Sequence, residues 1–283
     1  MITNEVIIGI MAFFTLGLIT GSFLNVIIYR LPMMLQACWR IEAREILGEQ
    51  PDEEDQGLGR FNLAFPPSHC TSCHEKLKFY EKIPLLSYIL QKGRCRHCQD
   101  KISFRYPLVE SFTGFVFALM YYRLGWGLPL LGGIFFASIL IVIALVDLRT
   151  TLIPDVLSIS LLWSGLLFNA FAIYKVPLKS AVLGAAGAYL FFWLLFYLVK
   201  WLFKKEAIGF GDLKLFAALG AWLGILSLPT LVLLSSLCGL VLALLMKPGL
   251  SKPLPFGPAI VLAGLVMFIF GPEIMLLLQG LYV

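Results

Sequence analysis

The sequence predicts an all-α, polytopic helical membrane protein of about eight transmembrane helices, with a small cytoplasmic four-cysteine module resembling a zinc ribbon. Three observations carry this. The 283 residues are 59% hydrophobic and only 14% charged, against roughly 25% charged in soluble domains. The apolar residues fall in repeated runs long enough to cross a hydrocarbon core of about 30 Å at about 1.5 Å per residue. Between the first and second runs lies the chain's one sizeable polar region, which holds four of the six cysteines as two CxxC pairs.

The first apolar run, 6–28, has no basic stretch before it and no small-residue cleavage site followed by a soluble chain. It therefore reads as a spanning helix and not as a removable signal. It closes in the string GSFLNVIIYRLP over 21–32. Gly21, Ser22 and Asn25 suit packing against another helix. Arg30 is placed to snorkel toward the headgroups, and Pro32 to stop the helix. The chain accordingly divides into a first transmembrane helix (1–32), a cytoplasmic loop with the cysteine module (33–106) and a transmembrane part (107–283). The acidic run at 49–55 reads as a solvated loop. The remaining spans are expected at 108–124, 128–146, 152–174, 180–203, 212–226, 227–246 and 256–279.

Charge distribution orients these spans. Twelve of the 22 Lys and Arg lie between Arg30 and Arg105, which marks that loop as cytoplasmic and not as a nucleic-acid patch. Alternation then puts Asp147 and Arg149, Lys200, Lys204 and Lys205, Asp212 and Lys214, and Lys247 and Lys252 on the same face. Arg123, Lys175 and Lys179 fall opposite. Both Asp147 and Asp212 therefore belong to the cytoplasmic side.

Cys70-Thr71-Ser72-Cys73 and Cys95-Arg96-His97-Cys98, with 21 residues between them, have zinc-ribbon spacing. Each CxxC turn lets two thiolates converge on one ion, and two turns complete a tetrahedral site. A closed four-thiolate site has no open position for substrate, so it reads as structural. Reduced structural thiols or a redox CxxC are the competing readings, but the latter usually sits on a βαβ unit that this sequence lacks. His69, His74 and His97 are not needed as ligands. Cys38 and Cys238 stand apart.

After Tyr106 the acidic residues are Glu110, Asp147, Asp155, Glu206, Asp212 and Glu273. Glu206 reads as a solvated loop charge. Glu110 and Glu273 read as residues of a helix's first turn, where the dipole favours an anion. Asp155 follows Pro154 and reads as an N-terminal cap. Asp147 and Asp212 are different. Each ends or opens an apolar run, Asp147 at a helix C-terminus where a negative charge is disfavoured. The plain alternative for either is a salt bridge to Arg149 or Lys214. Two carboxyls held close share a proton, and such a pair can activate a water against a peptide carbonyl.

Taken together, these residues resemble the prepilin leader peptidase family, membrane aspartic peptidases of the GxGD type. The resemblance runs through GSFLNVIIYRLP (21–32), the two CxxC pairs, IPLLS (83–87), YPLVE (106–110), DLRTTLIPD (147–155), GFGDLK (209–214), AALGAWLG (217–224) and PFGP (255–258). Phe210 stands where Met is frequent, Thr71 where Pro is frequent and Tyr29 where His is common. None of these removes a catalytic group or a ligand. The resemblance implies that Asp147 and Asp212 are the catalytic pair. It also implies that the substrates are type IV prepilins or type II secretion pseudopilins, cut after a glycine at the cytoplasmic face of the bacterial inner membrane. Members with the cysteine-bearing loop usually also N-methylate the new terminal residue with S-adenosylmethionine. No residue read here requires that donor, so the methyltransferase activity rests on the resemblance alone.

Two other readings stand beside this one. A proton-coupled transporter would use Asp147 and Asp212 as a relay, but transporters usually place such groups at the midplane between inverted repeats. A non-catalytic scaffold would keep the cysteine module and make the aspartates silent.

Overall fold

The computed structural model describes residues 4–49, 61–204, 209–246 and 254–280. Most of the acidic run at 49–55, and Lys205, Glu206, Lys247 and Lys252, lie outside the described residues. Among those described there are helices, short turns and two isolated β-bridges, with no strand. The chain forms two compact units, 1–122 and 123–283.

The first unit opens with α1 (Asn4–Leu47), 44 residues and therefore about 66 Å long. The expectation that Pro32 ends this helix is overturned. Proline removes one hydrogen bond, but the residues after it are rich in Met, Leu, Gln, Ala, Arg and Glu with no further Gly or Pro before Gly48. Their helix propensity carries the chain through. α2 (Leu86–Leu90) lies in the cysteine loop, and α3 (Arg105–Leu124) closes the unit. α1 and α3 touch backbone to backbone. A Cβ on Gly17 would lie 2.6 Å from the Gly114 Cα, and one on Gly21 would lie 2.8 Å from the Glu110 Cα. Asn25 donates its amide to the Tyr106 carbonyl at 3.2 Å, so the small and polar stripe of α1 does face a helix.

Arg30 does not reach for headgroups. It is buried, and its guanidinium donates to the carbonyls of Asn62 (2.8 Å), Leu63 (3.3 Å) and Pro66 (2.5 Å) and covers the Phe61 ring. Three fixed carbonyls satisfy a planar five-donor group better than a mobile interface does. Glu110 is likewise no first-turn residue. It sits one turn into α3, buried, and accepts the Leu85 N–H at 2.9 Å and the Ser22 hydroxyl.

The second unit comprises α4 (Leu128–Thr150), α5 (Asp155–Ala170), α6 (Leu178–Phe203), α7 (Phe210–Leu223), α8 (Leu228–Met246) and α9 (Gly257–Gly280). Among the described residues, eight helices of 14 residues or more therefore coincide with the eight expected segments. Five of them (α1, α4, α6, α8 with the turn before it, and α9) are by length and composition able to cross a membrane. α7 is only 14 residues and is buried continuously from Leu215 to Trp222. It packs against α5, α6 and α9, which explains why it is hydrophobic all round. The Gly184 and Gly220 backbones touch: a Cβ on either would lie 2.4 Å from the other's carbonyl oxygen. Trp222 anchors the other side of α7. It donates its indole N–H to the Leu161 carbonyl at 2.7 Å and contacts Phe136, Phe168, Tyr174 and Phe268.

Glu273 also departs from expectation. α9 runs through Pro272, so Glu273 is within the helix, where it pairs with Arg123.

Candidate functional site

Three helix ends meet around Asp147. The residue lies one turn before the end of α4. Thr151, in the left-handed region at φ 52°, caps that end and returns its N–H to the Asp147 carbonyl at 2.8 Å. The Asp147 side chain is buried, and its Oδ2 accepts the N–H of Gly257 at 2.9 Å. Gly257 opens α9, so a buried amide of a helix N-terminus, with no partner inside its own helix, points at the carboxylate. This offsets the unfavourable end of α4's own dipole. A Cβ at position 257 would fall 2.7 Å from that oxygen, so only glycine admits the approach without displacement.

Asp212 is the third residue of α7, and its N–H bonds to the Gly209 carbonyl at 3.1 Å. Its carboxylate is part-buried and lies within electrostatic reach of Asp147. A Cβ on Gly209 would come within 3.4 Å of Asp212 Oδ2, so glycine there leaves that side of the carboxyl open. Gly211 has another task. Its Cα faces Ile153, and a Cβ would lie 2.8 Å from the Ile153 Cβ. The linker after α4 is thereby pressed against the start of α7, which brings the two aspartate-bearing ends together.

Lys214 does not neutralise either aspartate. Its ammonium bonds Asp155 Oδ1 at 2.6 Å, with both side chains partly exposed. Asp155 therefore does not cap α5. Pro154 occupies the cap position without a side-chain bond, and Asp155 is the first helical residue, paired with Lys214. What results is two carboxyls in one another's field, one held by an amide and one partly open. Such a pair can take a proton from water and give one to a carbonyl oxygen.

In the other unit the cysteine loop folds as two knuckles of one design. Cys70 donates its N–H to the Glu75 carbonyl at 2.9 Å and accepts the His74 N–H at 3.0 Å. Cys95 repeats both bonds with Asp100 and Gln99 at the same distances. His74 (φ 57°) and Gln99 (φ 61°) occupy the same left-handed position, and each knuckle is closed by a bridge, His69 to Lys76 and Arg94 to Lys101. The two turns face each other. Sγ of Cys70 is 3.8 Å from Cys98, and Sγ of Cys73 is 4.0 Å from Cys95; all four lie within 4.8 Å. A tetrahedron with metal–sulfur bonds of about 2.3 Å sets its sulfurs about 3.8 Å apart. The donor set therefore fits a zinc ion, with no histidine among the four. Ser72 of the first knuckle donates its hydroxyl to Asp100 of the second.

The sequence pointed to Asp147, Asp212 and the four cysteines, and the structure gathers them as these two clusters. It adds Gly257, Arg30 and Glu110 as structural partners. PFGP was visible in the sequence, but nothing local tied its glycine to Asp147.

Comparison with known proteins gives two family models. Residues 15–124 match the bacterial peptidase A24 N-terminal domain, and residues 134–244 match the type IV leader peptidase family. Among curated relatives, a prepilin leader peptidase/N-methyltransferase of Dickeya chrysanthemi is 46% identical, over 91% of this chain and 91% of its own length. Proteins of the same name from Neisseria gonorrhoeae and Aeromonas salmonicida (strain A449) are 44% and 45% identical. They cover 89% and 92% of this chain and 87% and 90% of their own lengths. No solved structure matches the chain.

Proposed function

Since the chain belongs to the type IV leader peptidase family, we propose that Asp147 and Asp212 are the pair with which it cuts prepilins. The protein is an aspartic-type membrane endopeptidase that removes the short basic leader from type IV prepilins or type II secretion pseudopilins, and an N-methyltransferase of the new terminus. The observation that carries the residue assignment is the meeting of α4, α7 and α9, which puts two carboxyls in one field while Lys214 pairs with Asp155. The proton-relay transporter is not favoured, because the relatives are named as peptidases.

The chemistry follows from the pair. One ionised carboxylate takes a proton from water as the oxygen bonds to the scissile carbonyl carbon. The other carboxyl gives its proton to the carbonyl oxygen. Collapse of the resulting diol breaks the carbon–nitrogen bond: the leaving nitrogen takes the proton held by the first carboxyl, and a diol hydroxyl returns its proton to the second carboxylate, which restores the pair. The amide of Gly257 holds Asp147 in place through these steps.

Functionally, 1–32 anchors the chain, 33–106 is the cytoplasmic segment, which continues α1 to Leu47 before the loop built on the metal module, and 107–283 is the peptidase part. The basic residues of the loop favour a cytoplasmic position, and with it the inner membrane, for the cutting face. Zinc on Cys70, Cys73, Cys95 and Cys98 supplies structure and no chemistry. The methyl donor is assigned no residues. The groove of about 420 Å³ between α1 and α3 offers the hydroxyls of Thr15 and Tyr122 and no charged group, which does not suit a donor with a sulfonium and an amino acid terminus.

The test is cleavage of a detergent-solubilised prepilin, read by mass, with Asp147→Asn and Asp212→Asn. Each is expected to lose about 10³-fold or more in rate while keeping fold and zinc. Near-normal cutting by either would remove that residue from the pair.

A further inference from the structure

The cysteine module carries an apolar surface that its zinc role leaves unexplained. Phe79, Leu86, Ile89, Leu90 and Phe104 are exposed at 87%, 49%, 68%, 70% and 66%, in the most polar part of the chain. All five lie on or beside α2 and the turn before it. Leu86, Ile89 and Leu90 share a face of α2 by their three- and four-residue spacing. The turn Phe79–Lys82 packs on α2, and Phe104 meets Tyr88 of α2 edge-on at 6.3 Å between ring centroids. An exposed apolar cluster of this kind marks an interaction surface.

Its rim is basic. Lys78 and Lys82 bracket the turn, Lys92 and Arg94 follow α2, and Arg105 follows Phe104; all five are exposed. The one acidic residue of the turn, Glu81, is buried and spent on the Lys78 N–H at 2.8 Å. Apolar side chains ringed by Lys and Arg are the composition of surfaces that lie in the headgroup layer of anionic membranes. The patch is also in position for one: Arg105 is the first residue of α3, an expected span. A short basic leader, by contrast, would be repelled by this rim.

We propose that the zinc module is seated on the membrane, with Phe79, Leu86, Ile89, Leu90 and Phe104 in the acyl–headgroup boundary and the five basic side chains on anionic lipid phosphates. The inference rests on the reading of the long apolar helices as membrane-spanning. Seating the module fixes the cysteine loop at one height above the bilayer. The apolar side chains supply the area and the basic rim supplies a preference for anionic lipid.

The full zinc-loaded chain in nanodiscs tests this, with a p-benzoylphenylalanine photocrosslinker placed at Phe79, at Leu90, at Thr71 on the exposed first knuckle, or at Leu131 on the outer face of α4. Positions 79 and 90 are expected to give lipid adducts by mass, more with phosphatidylglycerol than with phosphatidylcholine alone, and position 71 none. The pair Lys82→Gln and Arg94→Gln is expected to cut the phosphatidylglycerol adduct at position 90 at least about fivefold, with zinc content and the Leu131 adduct unchanged. Lipid adducts at 131 but not at 79 or 90 overturn the proposal, as do adducts at 79 and 90 to added prepilin or to a second copy in place of lipid. Failure at 131 as well would overturn the spanning reading itself, and the seating with it.

Discussion

Asp147 Oδ2 and the amide of Gly257 meet at 2.9 Å across a sequence separation of 110 residues. The contact ties the end of α4 to the start of α9 and fixes one carboxyl of the proposed pair. A methyl group at Gly257 would sit 2.7 Å from that oxygen and 3.0 and 3.2 Å from the Asp147 Cγ and Cβ, so the whole short side chain must yield.

Gly257→Ala is therefore expected to act on catalysis more than on folding. Displacing a reacting group by about 1 Å typically costs about 10²-fold, so prepilin cleavage should fall by about that much. The melting temperature in detergent should move little, because the rest of the α4–α9 contact is untouched. Full activity in this variant would mean that Asp147 need not be held where the structure puts it.

Asp155 and Lys214 make the opposite case. Their ion pair is 2.6 Å long but lies between side chains 57% and 35% exposed, and such pairs contribute less than about 1 kcal/mol. Asp155→Asn and Lys214→Met are expected to leave cleavage within a few-fold of the parent and to shift stability by no more than that. If Asp155→Asn abolished cutting with the fold intact, Asp155 would have to replace one of the two proposed carboxyls.

Zinc removal should unmake the cysteine loop and leave the helices standing. The loop has knuckles and turns but no core of its own, and structural zinc sites contribute about 10 kcal/mol or more to the folding of such units. Chelation, or Cys95→Ser at the buried ligand, is expected to release one ion per chain. It should open the lysine and arginine sites between His69 and Ile102 to trypsin, with circular dichroism of the helices unchanged. A loop that stays resistant after the metal has left would show that the knuckles are held by their hydrogen bonds alone.

What could be read from the sequence was whatever depends on local pattern. The long helices announced themselves as apolar runs, and the CxxC spacing alone specified four sulfurs on one ion, which the 3.8 and 4.0 Å separations fit. Local rules failed where a distant group competed with them. Arg30, at a membrane-end position, finds three carbonyls of 62–66 in place of headgroups. Pro32 is outvoted by the helix formers that follow it. Asp155 takes Lys214 from the next helix but one in place of its own backbone. Gly257 had no local sign of its partner, because the signal lay in where α9 begins relative to α4.

Gly184 and Gly220 give the sharpest stability test. Their backbones touch where α6 crosses α7, and a Cβ on Gly220 would lie 2.4 Å from the Gly184 carbonyl oxygen and 3.1 Å from the next amide nitrogen. Backbone atoms have no rotamer by which to escape, so Gly220→Ala must push the helices apart or tilt α7, whose first turn carries Asp212. It is expected to destabilise by more than about 3 kcal/mol and to lower cleavage together with the folded fraction. Gly187, one turn further along α6, is the control. Its added Cβ would meet only the tips of Ile225 and Leu228 at 3.8 and 3.9 Å, which is ordinary contact. Gly187→Ala should be neutral or stabilising by up to about 1 kcal/mol, since alanine is the better helix former. Thermal unfolding of both variants in one detergent reads the difference. Equal melting temperatures would mean that α6 and α7 do not cross backbone to backbone, and the placement of Asp212 beside Asp147 would lose its support.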